Sequence, residues 1–331
     1  MKLAVAWTFG LGLLGLLLSR VPMAPLLEAV QRPSLLTWLG TLGGLLMSYA
    51  LRGARLQVVL NLDDHHRAPR RWLGLRIDAL RVILLHNAAV NLLPMRAGEL
   101  SFPWLAAHEL KLPMSRAVVC LMWMRLQDLA VLMALGLTLW PGLTLPWRLL
   151  GLSVLVLSWH GAWWLLKRWL ASRAAARRGA TTPLDGWRGM LITLQSALLE
   201  PAHHRPAAWG LTVANWTLKL AAGASLLGAI SQIPWSVAWA GALGGELAAI
   251  FPLQGPAGFG TYEAGVWAGA AALLPTQAPA LSHVVGAALA LHFCFLICAV
   301  MAAGVAAALT KPAKSTDTPK GKDGSPPGHP G

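Results

Sequence analysis

The chain has 331 residues, of which 56% are hydrophobic and only 12% charged, and its formal net charge is +14. Soluble domains carry about 25% charged residues, so this composition excludes a soluble globular protein and reads as an integral membrane protein. The basic excess concentrates in two stretches, six Arg against two Asp in residues 52–76 and six Lys/Arg against one Asp in 167–188. Read as loops flanking apolar runs, these follow the positive-inside pattern, which orients a membrane protein and gives no reason to invoke nucleic acid.

Six apolar runs approach the roughly 20 residues that a spanning helix needs: Leu3 to Ser19, Leu35 to Leu51, Val118 to Leu139, Leu149 to Leu166, Ala207 to Ile230 and Leu281 to Leu309. The first follows Lys2 as a secretion signal would. At about 17 residues it exceeds the 7–15 of a typical signal core, and no small-x-small site follows it, so it is expected to be retained as a helix. Arg55 to Leu62 and Gly189 to Glu200 read as short helices at the membrane surface. Trp140, Trp147, Trp163, Trp164 and Trp169 fall near span ends, where amphipathic rings anchor helices. Residues 311–331, rich in Pro, Gly, Lys and Ser, predict a disordered cytoplasmic tail behind a single domain over 1–310.

Two further apolar stretches, Ile77 to Leu110 and Trp235 to Leu274, are cut in the middle. The first break carries Asn91, Pro94, Arg96, Gly98 and Glu99. The second carries Pro252, Gly255, Pro256, Gly258, Gly260, Tyr262 and Glu263. Non-helical backbone at membrane depth is tolerated only where protein or a wet cavity covers it, and paired breaks of this kind in two halves of a chain point to a binding site. The expected architecture is all-α and polytopic. It has six full spans plus two re-entrant helix pairs in an inverted-repeat arrangement, with eight spans as the competing count. Both termini then lie in the cytoplasm, and Trp140-Pro141-Gly142 and Ser231-Gln232-Ile233-Pro234 form links outside.

Ionisable groups inside spans are costly and face one another or a cavity. Here they are Arg96 and Glu99 at the first break, Arg125 and Asp128 at i, i+3, Lys219, Glu246 before the second break and Glu263 after it. Three cations against four carboxylates make a site close to neutral. In one reading these are structural ion pairs, Arg125 with Asp128 above all. In the other, Arg96 and Lys219 receive a phosphate that also faces the N-termini of half-helices. His86, Asn87 and Asn91 fall within about one turn of each other before the first break, and His86 reads as a packing residue rather than a proton carrier. Cys120, Cys294 and Cys298 read as small buried apolar side chains. There is no HExxH, GxSxG, GxGxxG or P-loop, and no polar stretch exceeds about 25 residues. A nucleotide-driven pump is excluded on these residues, and neither a cofactor nor a metal is expected. An acid/base pair of Glu99 and Glu263 lacks the nucleophile or metal set that an enzyme would need.

The order Asn91-Leu92-Leu93-Pro94-x-Arg96-x-Gly98-Glu99, then Arg125-Leu126-x-Asp128, then Phe251-Pro252-x3-Pro256-x-Gly258-x-Gly260-x2-Glu263 resembles the transmembrane domain of lysylphosphatidylglycerol synthases. The same domain also stands alone in flippase-like proteins, some of them associated with hopanoid or glycolipid pathways. The resemblance covers most of residues 1–310. It implies a bacterial inner-membrane protein that moves an amphiphilic lipid, such as a phospholipid, polyprenyl-linked or hopanoid lipid, between leaflets. The second function it allows is a scaffold that presents lipid to a glycosyltransferase or hopanoid-modifying enzyme. Membrane lipids are the expected partners, with such a lipid-modifying enzyme as the other. Aminoacyl transfer is not expected, because a 21-residue tail follows residue 310. Ser101-Phe102-Pro103 stands where the family often has an Arg, and Met124 where an acidic residue is common.

Overall fold

Long apolar runs fold as helices because only a helix satisfies every backbone group within its own segment. The structure, a computed structural model, describes residues 28–62, 71–72, 74–93, 98–177, 194–250, 256–274 and 280–309. The longer helices among these residues are α1 (Leu35–Leu60), α2 (Ile77–Leu92), α3 (Ser101–Glu109), α4 (Met114–Leu139), α5 (Leu145–Arg177), α6 (Pro206–Ser231), α7 (Trp235–Ala248), α8 (Thr261–Ala271) and α9 (Ala280–Ala308). A two-residue hairpin, β1 (Arg71–Trp72) with β2 (Leu75–Arg76), precedes α2. The expected run Leu3 to Ser19 and the tail lie outside the described residues.

Four segments are long and apolar enough to cross a bilayer: Met114–Leu139, Leu145–Ser172, Pro206–Ser231 and His283–Ala308. They coincide with four of the six runs read from the sequence. The run Leu35 to Leu51 does not stop at Arg52. It continues to Leu60, where Asn61 takes a left-handed φ of 50° as the C-cap. This corrects two expectations, because residues 52–60 are helix rather than loop, and Arg55 to Leu60 are no surface helix. Arg55, Leu56, Gln57, Val59 and Leu60 are all buried. The helix survives its two arginines because groups on other helices accept from their N–H donors, Asn87 and Asn215 for Arg52 and Asp128 for Arg55.

Helix ends follow local chemistry. Ser34 caps α1 through a bond from the Thr37 amide at 3.2 Å, and Pro206 opens α6 where a missing N–H costs nothing. The α4–α5 turn places Gly142 at φ 79°. It is tied by Arg148, which donates to the carbonyls of Leu143 and Thr138 at 2.7 Å and of Trp140 at 3.1 Å.

One apolar cluster joins α6, α7, α8 and α9 to the first half of α1. A second joins the end of α1 to α2, α3 and α4. Helix α5 stands apart, its spanning window unburied, and meets α4 where Trp159 and Trp163 pack on Trp123. The tightest contact is the antiparallel pair α7 and α8. A Cβ placed on Gly244 would overlap the Gly265 carbonyl, and one on Gly269 would overlap that of Ala240. Backbone-to-backbone contact of this kind depends on small residues.

Gly244→Ala is therefore expected to cost about 1–3 kcal/mol through overpacking. Gly40→Ala, with nothing within 4 Å of the new methyl, should be neutral or gain up to about 1 kcal/mol. Thermal unfolding of both variants in detergent checks this, and equal midpoints would contradict the packing account.

Candidate functional site

Asp128 on α4 gathers three helices. Its Oδ1 accepts from Arg55 Nη1 of α1 at 2.6 Å and from the Trp216 indole N–H of α6 at 3.0 Å, and Oδ2 lies 3.4 Å from Arg125 Nη1. Arg55 also donates to the Met124 carbonyl at 2.7 Å and to Gln127 at 2.9 Å. Gln127 in turn donates to the His203 carbonyl at 2.5 Å. A buried cation with this many partners holds helices together, since removing one partner strands the other charge.

The network continues to the first break. Arg125 pairs with Glu99 at 2.8 Å. His86 lies between this pair and α3. Ser101 donates its hydroxyl to the Gly98 carbonyl at 2.6 Å, so it accepts from His86 Nδ1 at 3.0 Å, which leaves Nε2 to accept from Arg125 at 3.3 Å. His86 is thus neutral and orients the arginine. Gly98 is required where it stands, because a Cβ there would overlap the backbone of Ala89 and Val90.

At the second break Lys219 of α6 pairs with Glu246 of α7 at 2.7 Å and lies 5.2 Å from the Trp216 ring centroid and 4.8 Å from that of Phe295. Glu263 accepts from the Gly260 amide at 2.7 Å and faces His292 at 2.6 Å. Glu263 is thus the N3 residue that reaches back to cap the start of α8.

These groups surround a cavity of about 370 Å³, a volume in the range of small-ligand pockets. Of the residues singled out in the sequence, Asn87, Asn91, Glu99, Arg125, Asp128, Lys219, Glu246, Tyr262 and Gly258 line it. The two breaks therefore share one cavity in their described parts. Glu263 is fully buried and does not line the cavity, and Gly260 caps α8 beside it at φ 81°. Pro256 opens the short 3-10 turn that leads to Gly258. Pro94, Arg96, Pro252 and Gly255 lie outside the described residues.

Sequence reasoning missed Arg52, Arg55 and Trp216, and set His292 aside as a lone histidine in an apolar run. The two arginines were counted as loop charge, and yet Arg52 lines the cavity. It donates from Nη1 to Asn87 at 2.7 Å and from Nε to Asn215 at 3.2 Å, and its guanidinium lies 5.4 Å from the Trp216 ring centroid. The i, i+3 spacing of Arg52 and Arg55 was the available signal, since it puts both on one helix face. No three His, Cys, Asp or Glu side chains among the described residues converge as a metal site requires.

Helical segments of spanning length around a charged cavity define a membrane protein. No family model, no curated protein and no solved structure matches the chain.

Arg55→Met should destabilise the fold by about 3–5 kcal/mol, because it removes the closest partner of buried Asp128. Arg52→Gln, which strands no carboxylate, should cost much less. Thermal midpoints in detergent separate the two, and a reversed order would contradict this assignment. A pH dependence follows from His203, outside the spanning helices. Burial pushes its imidazole down to about 4, and neither ring nitrogen has a hydrogen-bond partner among the described residues. The unfolded chain takes up the proton below its ordinary value of about 6.5 and the folded chain does not. Stability is therefore greatest above pH 6.5 and falls by on the order of 3 kcal/mol as pH drops toward 4. His203→Phe should flatten that slope in unfolding scans across pH, whereas an unchanged slope would assign it to another group.

Proposed function

We propose that this cavity takes the head group of an anionic amphiphilic lipid and that the protein moves that lipid between leaflets. One observation carries the reading: Arg52 faces the cavity with only neutral amide partners among the described residues. The other cations on the wall are matched, Arg125 by Glu99 and Asp128 and Lys219 by Glu246. An anion placed against Arg52 supplies what the protein leaves out, and a guanidinium fits phosphate geometry closely. The phosphate-gripping role expected of Lys219 passes to Arg52, because Lys219 already holds a carboxylate.

Element lengths support the membrane geometry of this reading. At 1.5 Å per residue, α7 and α8 with 14 and 11 residues reach only roughly 21 and 16 Å, and α2 and α3 with 16 and 9 residues roughly 24 and 14 Å. A hydrocarbon core is about 30 Å thick. We read α2 with α3 and α7 with α8 as two re-entrant pairs whose breaks meet at the cavity, beside the full spans. The resemblance to flippase-like domains of lysylphosphatidylglycerol synthases points the same way. The inner membrane and cytoplasmic termini belong to this proposal.

The test is lipid movement in proteoliposomes of the purified full chain, with fluorescent phosphatidylglycerol and a neutral glycolipid as probes. Wild type should move the anionic probe, and Arg52→Gln should slow it at least 10-fold while keeping its thermal midpoint. Retained transport in Arg52→Gln would overturn the anchor. Lipid binding without movement in the wild type would replace transport by the presentation of lipid to a partner enzyme.

A further inference from the structure

The lipid reading leaves one ionisable pair unused. His292 of α9 and Glu263 of α8 are 3% and 0% exposed, and His292 also lines the cavity. Its Nε2 lies 2.8 Å from the Ala257 carbonyl. A carbonyl only accepts, so Nε2 carries a hydrogen. Its Nδ1 lies 2.6 Å from Glu263 Oε1. With Nε2 protonated, a neutral ring would turn a lone pair toward a carboxylate at that distance. One further proton has to lie between them, giving either imidazolium with carboxylate or imidazole with carboxylic acid. Both forms are neutral as a pair, which suits full burial, where a lone ionised carboxylate is strongly disfavoured.

That proton fastens a strained turn. Ala257, Gly258 and Gly260 have φ of 53°, 85° and 81°. The left-handed region costs a residue with a Cβ about 1–2 kcal/mol, so Ala257 stays there only because other contacts hold it. Those contacts are His292 Nε2 on its carbonyl and, three residues on, Glu263 Oε2 on the Gly260 amide at 2.7 Å. The Phe259 ring stacks on His292 with centroids 4.3 Å apart. Ala257 and Gly258 belong to the cavity wall, so the turn's conformation shapes that wall.

The ionisable groups around the pair come from several helices. Tyr262 of α8 has its ring centroid 5.3 Å from that of His292. Cys294 shares α9 with His292, and Tyr49 of α1 is also buried. Lys219 of α6 and Glu246 of α7 compensate each other at 2.7 Å. The cavity's other charged residues are Arg52 of α1, Glu99 before α3, and Arg125 and Asp128 of α4. None of these is a hydrogen-bond partner of His292 among the described residues; the groups that meet its two ring nitrogens are Glu263 and the Ala257 carbonyl.

We propose that His292 and Glu263 form a binding site for one proton, that the bound proton locks the 256–260 turn against α9, and that its release to water unlocks this wall of the cavity. No oxidant, metal or second substrate enters. Losing the proton leaves a lone pair against a carboxylate, the two groups part, and both bonds that fasten the turn loosen together. The inference does not depend on what occupies the cavity.

The experiment uses the full chain in lipid nanodiscs with histidine labelled in its ring nitrogens, read by nitrogen NMR and by infrared spectra of carboxyl groups. At pH 7 the wild type should show a histidine protonated on both nitrogens that H292Q removes, or a carboxylic-acid band that E263Q removes. Raising the pH should abolish that signature in one step. At the same step, amide hydrogen exchange in residues 257–260, corrected for its intrinsic pH dependence, should rise at least 10-fold. In E263Q the amide N–H₂ donates to Nδ1 and its oxygen accepts from Gly260, so the turn should stay locked with no step. A neutral His292 beside an ionised Glu263 at pH 7 would overturn the proposal, as would a wild-type signature whose loss leaves exchange unchanged. The wild-type spectra and exchange decide the matter whether or not E263Q folds. Because no lipid movement is measured, a failure here leaves the Arg52 site standing, and a failure of transport leaves the proton site standing.

Discussion

Asp128 brings a negative charge into the middle of a helical bundle, and the arrangement around it follows from what that charge requires. Arg55 of α1, Arg125 of its own helix and the Trp216 indole of α6 all point at its two oxygens. Each partner is in turn fixed by another: Arg55 by Gln127 and the Met124 carbonyl, and Arg125 by Glu99 and His86. A buried ion pair is weak evidence for stability by itself, but breaking one is strongly destabilising. The network therefore specifies register among α1, α4 and α6 rather than adding bulk stability. Through Glu99 it also fixes the first break against α4.

The cavity exists because this network stops short of pairing everything. On its wall Trp216 lies near both Arg52 and Lys219, at 5.4 and 5.2 Å from ring centroid to charge. Lys219 has a carboxylate and Arg52 has only Asn87 and Asn215. Two neutral amides orient a guanidinium without cancelling its charge. Beside it, the second break is held by Glu263 and His292, which are internally neutral. A preorganised cation thus stands in the same cavity as the wall that the Glu263–His292 pair fastens.

Much of the fold was legible because it rests on local physics. Runs such as Val118 to Leu139 and Ala207 to Ile230 were long enough to dictate helices, and Gly98 and Gly260 marked places where the backbone comes close or turns left-handed. Asp128 and Arg125, three residues apart, were visible as a pair for the same reason. The rest was hidden because its partners lie far away in sequence. Arg52 and Arg55 looked like loop charges, since the groups that make a helical arginine tolerable there, Asn87, Asp128 and Asn215, lie on three other helices. His292 sat alone in an apolar run, with its carboxylate 29 residues earlier. Lys219 was seen, with a structural ion pair as one of its two readings, and Glu246 is the carboxylate it holds.

The central claim is that one arginine whose hydrogen bonds go to neutral amides makes this cavity a receptor for an anionic head group. Native mass spectrometry of the chain released from its own membrane addresses it most directly, by comparing the lipids that stay bound to wild type and to Arg52→Lys and Arg52→Gln. The account predicts a phosphate-bearing lipid retained by wild type, weakened in Arg52→Lys and absent from Arg52→Gln, with neutral lipids unchanged. An identical set of bound lipids in all three proteins would contradict it.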